Sequence, residues 1–257
     1  VHREVNSRFS YQKLFNLSDQ EIEWYVKEIK LKDRQQGFDL AQPSQMRLKV
    51  LDLGKGRYEF IWSHHHILMD GWCMSILIND FYNLLDAAKE QRPAKLAPPL
   101  PYAHYIQWLE GIDKAHSLKY WGDYLNDYSN VAEVPFRRNT PATYQEAKAE
   151  FQLEGALFEQ LQGLFKEVGI TPSTFVQACW GYLLSRYNNK QDVVFGSVVS
   201  GRPASLPGVE QMVGLFINTI PVRVRYTGDQ SPIDLLKTLQ EHAIAGNEHH
   251  YLNLSEV

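Results

Sequence analysis

The chain has 257 residues, 44% of them hydrophobic and 22% charged, enough to bury a real core in one large domain or two lobes and too globular for the disordered or fibrous classes. A net charge of −4 with no long basic run argues against nucleic-acid binding. No stretch approaches the ~18 consecutive apolar residues of a membrane helix. Cys73 and Cys179 form neither a disulfide framework nor a metal spacing, so a reducing cytoplasm is the expected compartment.

The chain opens inside a strand-like phrase, Val1-His2-Arg3-Glu4-Val5, and reads as cut from something longer. Ser18-Asp19-Gln20-Glu21 is a capping box, and Ile22, Tyr25, Val26 and Ile29 follow at helical spacing. Met46 to Leu51 and Arg57 to Trp62 then flank the Gly-rich turn 52–56 as a hairpin. The second strand runs into His64-His65-His66-Ile67-Leu68-Met69-Asp70-Gly71-Trp72. A helix follows, with Met74, Leu77, Ile78, Phe81, Leu84 and Leu85 on one face. The Pro-rich stretch 92–101 is a linker, helical material continues through Tyr105, Trp108 and 118–125, and a composition shift over 134–145 marks a lobe boundary. The expected division is 1–140 and 141–257.

In the second half, Leu157 to Val168 is a helix closed by Gly169, and Thr171-Pro172 opens another. The expected apolar face of that helix is Phe175, Val176, Cys179, Trp180, Leu183, Leu184 and Tyr187. Asp192 to Val199 reads as a buried strand and 220–226 as a half-exposed one, and Ser231-Pro232 begins a last helix. Trp108, Trp121 and Trp180 are expected in the core, and His249 and His250 on the surface. The whole is mixed α/β.

The polar cluster at the strand-to-helix crossing carries the chemistry, because a rigid scaffold there can present side chains. A histidine near neutral pH can take a proton from an attacking nucleophile and return it. Asp70 can fix the loop through an arginine or a backbone N–H, and Gly71 permits a tight turn or positive φ. Three alternatives stand beside this. The histidines could simply end an exposed strand; His66 and Asp70 could join His249 and His250 at a metal; or a Ser-His-Asp hydrolase could be present, although no Gly-x-Ser-x-Gly elbow occurs. No metal site is assigned, since the spacing of a helical zinc motif is absent.

The phrase from Ser63 to Cys73 resembles the central motif of nonribosomal peptide synthetase condensation domains. Tyr102-Ala103-His104-Tyr105-Ile106-Gln107-Trp108 is similar to the family's next motif, with His104 in place of the usual Asp. Val213-Gly214-Leu215-Phe216-Ile217-Asn218-Thr219 resembles the one after, and His250 to Val257 the one after that, with Asn253 where Pro is common. In this order the phrases cover nearly the whole chain.

The resemblance implies a chloramphenicol acetyltransferase-like fold, two related lobes in a V with the His motif at their junction. It implies peptide-bond formation between a donor aminoacyl or peptidyl thioester and an acceptor α-amine. Both are held on phosphopantetheine arms of donor and acceptor peptidyl carrier proteins, with an adenylation domain as neighbour and no cofactor bound by the domain itself. Carried over by position, His66 would be the general base or the group that positions the amine, His65 structural, and Asp70 a loop residue paired with Arg202. Gly71 completes the phrase. Trp72 and Asn218 are assigned to the substrate tunnel, with satisfaction of backbone groups at a strand end as the alternative for Asn218. The family's earliest motifs and its material beyond the last phrase are not seen. A catalytically silent docking platform for carriers and a coenzyme A-dependent acyltransferase remain the functional alternatives. Neither epimerization nor heterocyclization signatures occur, and the phrases are most similar to domains joining an L donor to an L acceptor.

Overall fold

The computed structural model describes residues 5, 8–15, 17–135 and 147–257. Strands and helices alternate in the order β1 (Arg8–Lys13), α1 (Asp19–Gln36), β2 (Met46–Gly54), β3 (Arg57–His64), α2 (Trp72–Lys89), α3 (Ala103–Gly111) and α4 (Ala115–Tyr124). They continue with α5 (Gly155–Val168), α6 (Pro172–Asn188), β4 (Asp192–Val199), β5 (Asn218–Arg225) and α7 (Pro232–Gly246). The fold is mixed α/β. No helix among the described residues is long and apolar enough to cross a membrane.

Two compact units result: Val1–Tyr102 with Gln211–Phe216, and Ala103–Glu210 with Ile217–Val257. The division expected at residue 140 falls outside the described residues, as do positions 1–4 of the opening phrase. The units part at Tyr102 because α3 and α4 pack with later chain: the Trp108 ring meets Tyr251 edge-on at 5.2 Å, and Trp121 clusters with Ile220 and Leu252.

In the first unit α1 starts where the capping box places it. Ser18 Oγ accepts the Glu21 N–H at 3.3 Å, and the Glu21 carboxylate accepts the Ser18 N–H at 2.7 Å. Its stripe of Ile22, Tyr25, Val26 and Ile29 faces the sheet, where Tyr25, Val26 and Ile29 pack on a small core of Leu14, Leu51 and Ile61. The sheet has the order β1-β2-β3, with β1 parallel and β3 antiparallel to β2. The hairpin turn needs positive φ at Gly54, Lys55 and Gly56, which explains the glycines there. Arg47 holds the sheet to the end of α1. Its guanidinium meets the buried Asp33 carboxylate at 3.0 and 3.1 Å and donates to the carbonyls of Asp33 and Gly37. Burial alone would raise the Asp33 pKa, but hydrogen bonds from Arg47, Ser63 and Lys49 hold it far below the usual carboxylate range.

The expected apolar face of α2 is not a core face. Ile78, Phe81 and Leu84 are exposed, and the helix buries Cys73 and Ala87 instead. Its first turn is the anchored end, while Phe81 meets Phe60 of β3 edge-on at 5.5 Å.

The second unit is built on the antiparallel pair β4–β5. Its core joins Ile170, Ala178, Leu184, Val193, Val222, Val224, Leu236 and Leu239. Helix α6 runs as expected from its Thr171 cap and Pro172, but rotated. Thr174, Ala178, Gly181, Leu184 and Ser185 face inward, while Val176, Trp180 and Tyr187 are exposed. The cause is close approach to β5: a Cβ on Gly181 would lie 2.3 Å from Val224. Only a residue without a Cβ allows that distance at position 181, and Val176, Trp180 and Tyr187 turn outward.

Strand β5 is likewise more buried than its alternation suggested, with 220–224 all inside. Arg223 is taken in with a full set of partners. It forks onto Asp192 at 2.9 and 2.6 Å and donates to the carbonyls of Tyr124 and Asn126. Strand β4, expected to be buried, has only Val193 fully inside.

Candidate functional site

The histidine phrase occupies the step from β3 to α2 in the first unit. Strand β3 ends at His64, a single 3-10 turn covers His66–Leu68, and α2 begins at Trp72. His65 caps the turn: its Nδ1 accepts the Ile67 N–H at 3.1 Å, and its own N–H donates to Gln45 O at 2.9 Å. His64 is half-buried; burial, with the neighbouring His66, lowers its pKa.

The turn lifts residues 66–68 outward while Met69 and Asp70 sink to 3% and 1% exposure. His66 is therefore an exposed side chain on a backbone fixed from below.

Asp70 is the fixing point. Oδ1 accepts the Trp72 N–H at 3.1 Å and lies 3.4 Å from Cys73 Sγ, and Oδ2 accepts the Phe216 N–H at 2.9 Å. The Asp70 N–H donates to Gly214 O at 3.2 Å. Cys73 is wholly buried, with Sγ 3.3 Å from Gly214 O. The segment 214–216 is held in turn by Tyr102. Its hydroxyl donates to Leu215 O at 2.5 Å and its ring meets Phe216 edge-on at 5.1 Å. A Cβ on Gly214 would lie 2.1 Å from that ring, so the glycine permits the contact. Three phrases far apart in sequence thus meet beneath the His66 turn. Cys73, Tyr102, Gly214 and Phe216 were quoted in those phrases without a role; only tertiary contact gives them one.

Of the two roles open to Gly71, it takes the turn and not the positive φ. Its φ of −61° and ψ of −24° are ordinary right-handed values, and a Cβ there would meet nothing within 4 Å. Neither positive φ nor crowding by the chain requires glycine. Trp72 gives its backbone N–H to Asp70 and is 56% exposed.

The remaining candidates lie in the second unit. Arg202 donates from Nη1 to Val209 O. Asn218 donates from Nδ2 to the carbonyls of His250 and Leu252 at 2.8 and 2.5 Å and accepts the Thr219 N–H at 2.9 Å, the backbone-satisfying arrangement of a strand end. His249 is buried, against expectation. Nδ1 lies 2.8 Å from Ser117 Oγ, which also meets Tyr251 Oη at 2.8 Å, and the Tyr120 ring stacks over the imidazole at 4.2 Å. Among the described residues no three His, Cys, Asp or Glu side chains are grouped to hold a metal.

Burial, aided by neighbouring cationic groups, lowers the pKa values of His242, His249 and His250 below 6.5. Well above pH 6.5 these groups are neutral in both folded and unfolded chains and add little pH dependence. As pH falls below 6.5 the unfolded chain takes up protons first, so stability drops until the folded values are passed. Urea midpoints should therefore be similar at pH 8 and 7.5 and lower at pH 5.5, read by Trp fluorescence; a midpoint unchanged at pH 5.5 would contradict this.

Comparison with known proteins follows the same lines. The family model described as Condensation domain matches residues 1–257. The chain belongs to the condensation domain family. It is 39% identical over 259 residues to a plipastatin synthase of Bacillus subtilis (strain 168), covering 100% of this chain and 10% of that protein. It is 38% identical over 261 residues to gramicidin S synthase 2 of Brevibacillus brevis, covering 100% of this chain and 6% of that one. Among solved structures, the first condensation domain of the CDA synthetase superposes with a TM-score of 0.72 at 18% identity, over 96% of this chain and 55% of that one. The chain thus spans about half of that solved condensation domain and a tenth or less of these synthases. The mixed α/β fold class is the one the histidine, tyrosine and Gly-Leu-Phe phrases implied.

Proposed function

We propose that this condensation domain forms peptide bonds in nonribosomal peptide synthesis. The acceptor α-amine attacks the carbonyl carbon of the donor thioester, the new C–N bond forms, the C–S bond breaks, and the amine's proton passes to the departing sulfur by way of His66. Both substrates arrive on phosphopantetheine arms of peptidyl carrier proteins, with an adenylation domain as neighbour and the cytoplasm as compartment. The observation that carries this reading is the exposed His66 imidazole on a turn fixed by the buried Asp70, within a chain resembling plipastatin and gramicidin S synthases along its whole length.

Within the reading, Trp72 borders the substrate path in the first unit. Gly71 fits the same picture. A Cβ on Gly71 would meet nothing within 4 Å, so the space at this end of the turn is open. An L-configured donor and an L-configured acceptor are the proposed pair, on the wording of the His66 and Asn218 phrases.

The test uses the protein carrying this sequence in its full-length form, with donor and acceptor carriers loaded with defined aminoacyl groups. Mass spectrometry should find the dipeptidyl thioester on the acceptor carrier. Carriers that bind without any product would identify a silent docking platform and overturn the proposal.

A further inference from the structure

The peptide group between Leu215 and Phe216 is gripped at both ends. Its oxygen accepts the Tyr102 hydroxyl at 2.5 Å, and its N–H donates to Asp70 Oδ2 at 2.9 Å. The atoms of a peptide group lie in one plane, so the carbonyl and the N–H turn together. Fixing the oxygen therefore fixes the direction in which the N–H points. A hydroxyl donated to the oxygen also polarises the amide and strengthens its N–H as a donor, as happens along chained hydrogen bonds. The Tyr102 hydroxyl thus acts on the Asp70 carboxylate through one peptide plane.

The residue before this peptide group is held as closely. Gly214 O accepts the Asp70 N–H at 3.2 Å, and the Gly214 N–H donates to Cys73 Sγ at 3.4 Å. The Tyr102 ring closes over the same stretch, edge-on to Phe216 and so near Gly214 that a Cβ there would lie 2.1 Å from it. The ring sets where residue 214 sits, and the hydroxyl sets how the next peptide plane is turned. From Asp70 the hold continues along the backbone to the histidine. The Met69 N–H donates to His66 O at 3.3 Å and the Leu68 N–H to His65 O at 3.1 Å.

We infer that Tyr102 is a positioning residue for the His66 imidazole, acting through the Leu215–Phe216 peptide group and the Asp70 carboxylate. Its effect on rate rests on the reaction proposed for His66; its hold on the turn does not. A group that moves a proton must lie within about 2.6–3.2 Å of the atom it serves, and a misplacement of about 1 Å can cost roughly 10²-fold. Loss of the hydroxyl lets the peptide plane tilt and draws the Phe216 N–H off the carboxylate. Asp70 then loosens, and the turn that carries His66 loosens with it.

The test uses the full-length protein carrying this sequence, with loaded donor and acceptor carriers. It reads the single-turnover rate against acceptor-carrier concentration, and amide exchange by mass spectrometry. Tyr102→Phe keeps the ring and removes the hydroxyl. It should lower the saturating rate about five- to tenfold, the worth of one neutral hydrogen bond, and leave the half-saturating carrier concentration unchanged. Exchange should quicken at Phe216 and over residues 68–72, while β2 and α1 keep their protection. Gly214→Ala drives a methyl group into the ring and should cost about 10²-fold. Adding Tyr102→Ala removes that collision, so the double variant should be no slower than Gly214→Ala alone. If the wild type makes no product, the reaction proposed for His66 falls, and exchange in Tyr102→Phe decides the hold. A change confined to 68–72 and 216 then supports it, and an unchanged pattern overturns it. With product formed, an unaltered rate in Tyr102→Phe, protection lost evenly across β2 and α1, or a double variant slower than Gly214→Ala would each overturn the inference.

Discussion

Replacing His66 by Ala is expected to slow peptide-bond formation by about 10²–10⁴-fold, the usual contribution of a positioned general acid or base. The geometry makes this variant informative. His66 is exposed, and the backbone of its turn is held by Asp70, by the Met69 N–H on the His66 carbonyl and by the Nδ1 cap of His65. Surface substitutions of that kind change stability by roughly 0.5 kcal/mol or less. The variant should therefore fold, bind both loaded carriers with unchanged affinity, and fail at the bond-forming step. Single-turnover assays that quantify dipeptidyl thioester by mass spectrometry separate that step from loading and binding. If His66 transfers a proton, the wild-type rate should show a pH limb that is absent from the variant; if it only positions the amine, the rate falls with the limb unaltered. Undiminished product formation by His66→Ala would remove this residue from the mechanism.

The elements that were legible in the sequence are those whose signals are local. The capping box at Ser18 and Glu21, the glycines of the turn 54–56, Pro172 behind its Thr171 cap and the left-handed Gly169 each answer a backbone requirement within a few residues, and the structure forms each of them. Burial was less legible, because a side chain's size says nothing about how near its neighbour comes. Helix α6 turns Thr174, Ala178 and Gly181 inward because β5 approaches closely, and no count of apolar residues contains that distance. Arg223 was read as outward-facing, yet it is buried, since Asp192 and two carbonyls supply what solvent would have. Strand β1 gave no signal of its own: all six residues are exposed, and it exists as a strand through pairing with β2.

The candidate site divides in the same way. The histidine phrase was visible as a phrase, and a backbone N–H was one of two partners foreseen for Asp70. Its identity was not visible, because the Phe216 N–H lies 146 residues along the chain. Gly71 was open to two readings, a tight turn or positive φ, and the structure places it in a turn with an ordinary backbone angle.

Asp70→Ala is expected to lower the free energy of unfolding by on the order of 2–5 kcal/mol. The removed carboxylate leaves two backbone donors, the N–H groups of Trp72 and Phe216, without their acceptor, at about 1–3 kcal/mol each when buried. Asp70→Asn sharpens the argument. The two carboxylate oxygens each accept an N–H, and an amide has only one oxygen, so whichever way it is turned its NH2 faces a donor. The Asn variant should lie between Ala and wild type although it keeps the volume and shape of the side chain. Urea unfolding measures both losses, and amide hydrogen exchange localises them: protection should fall first at Phe216 and Trp72, before the amides of β2. Activity should fall together with that local protection, and low temperature should restore part of it, whereas cooling cannot return the function missing from His66→Ala. A well-folded, fully protected Asp70→Ala protein would show that the two N–H contacts do not hold the turn, and the account of how the imidazole four residues earlier is kept in place would fail with them.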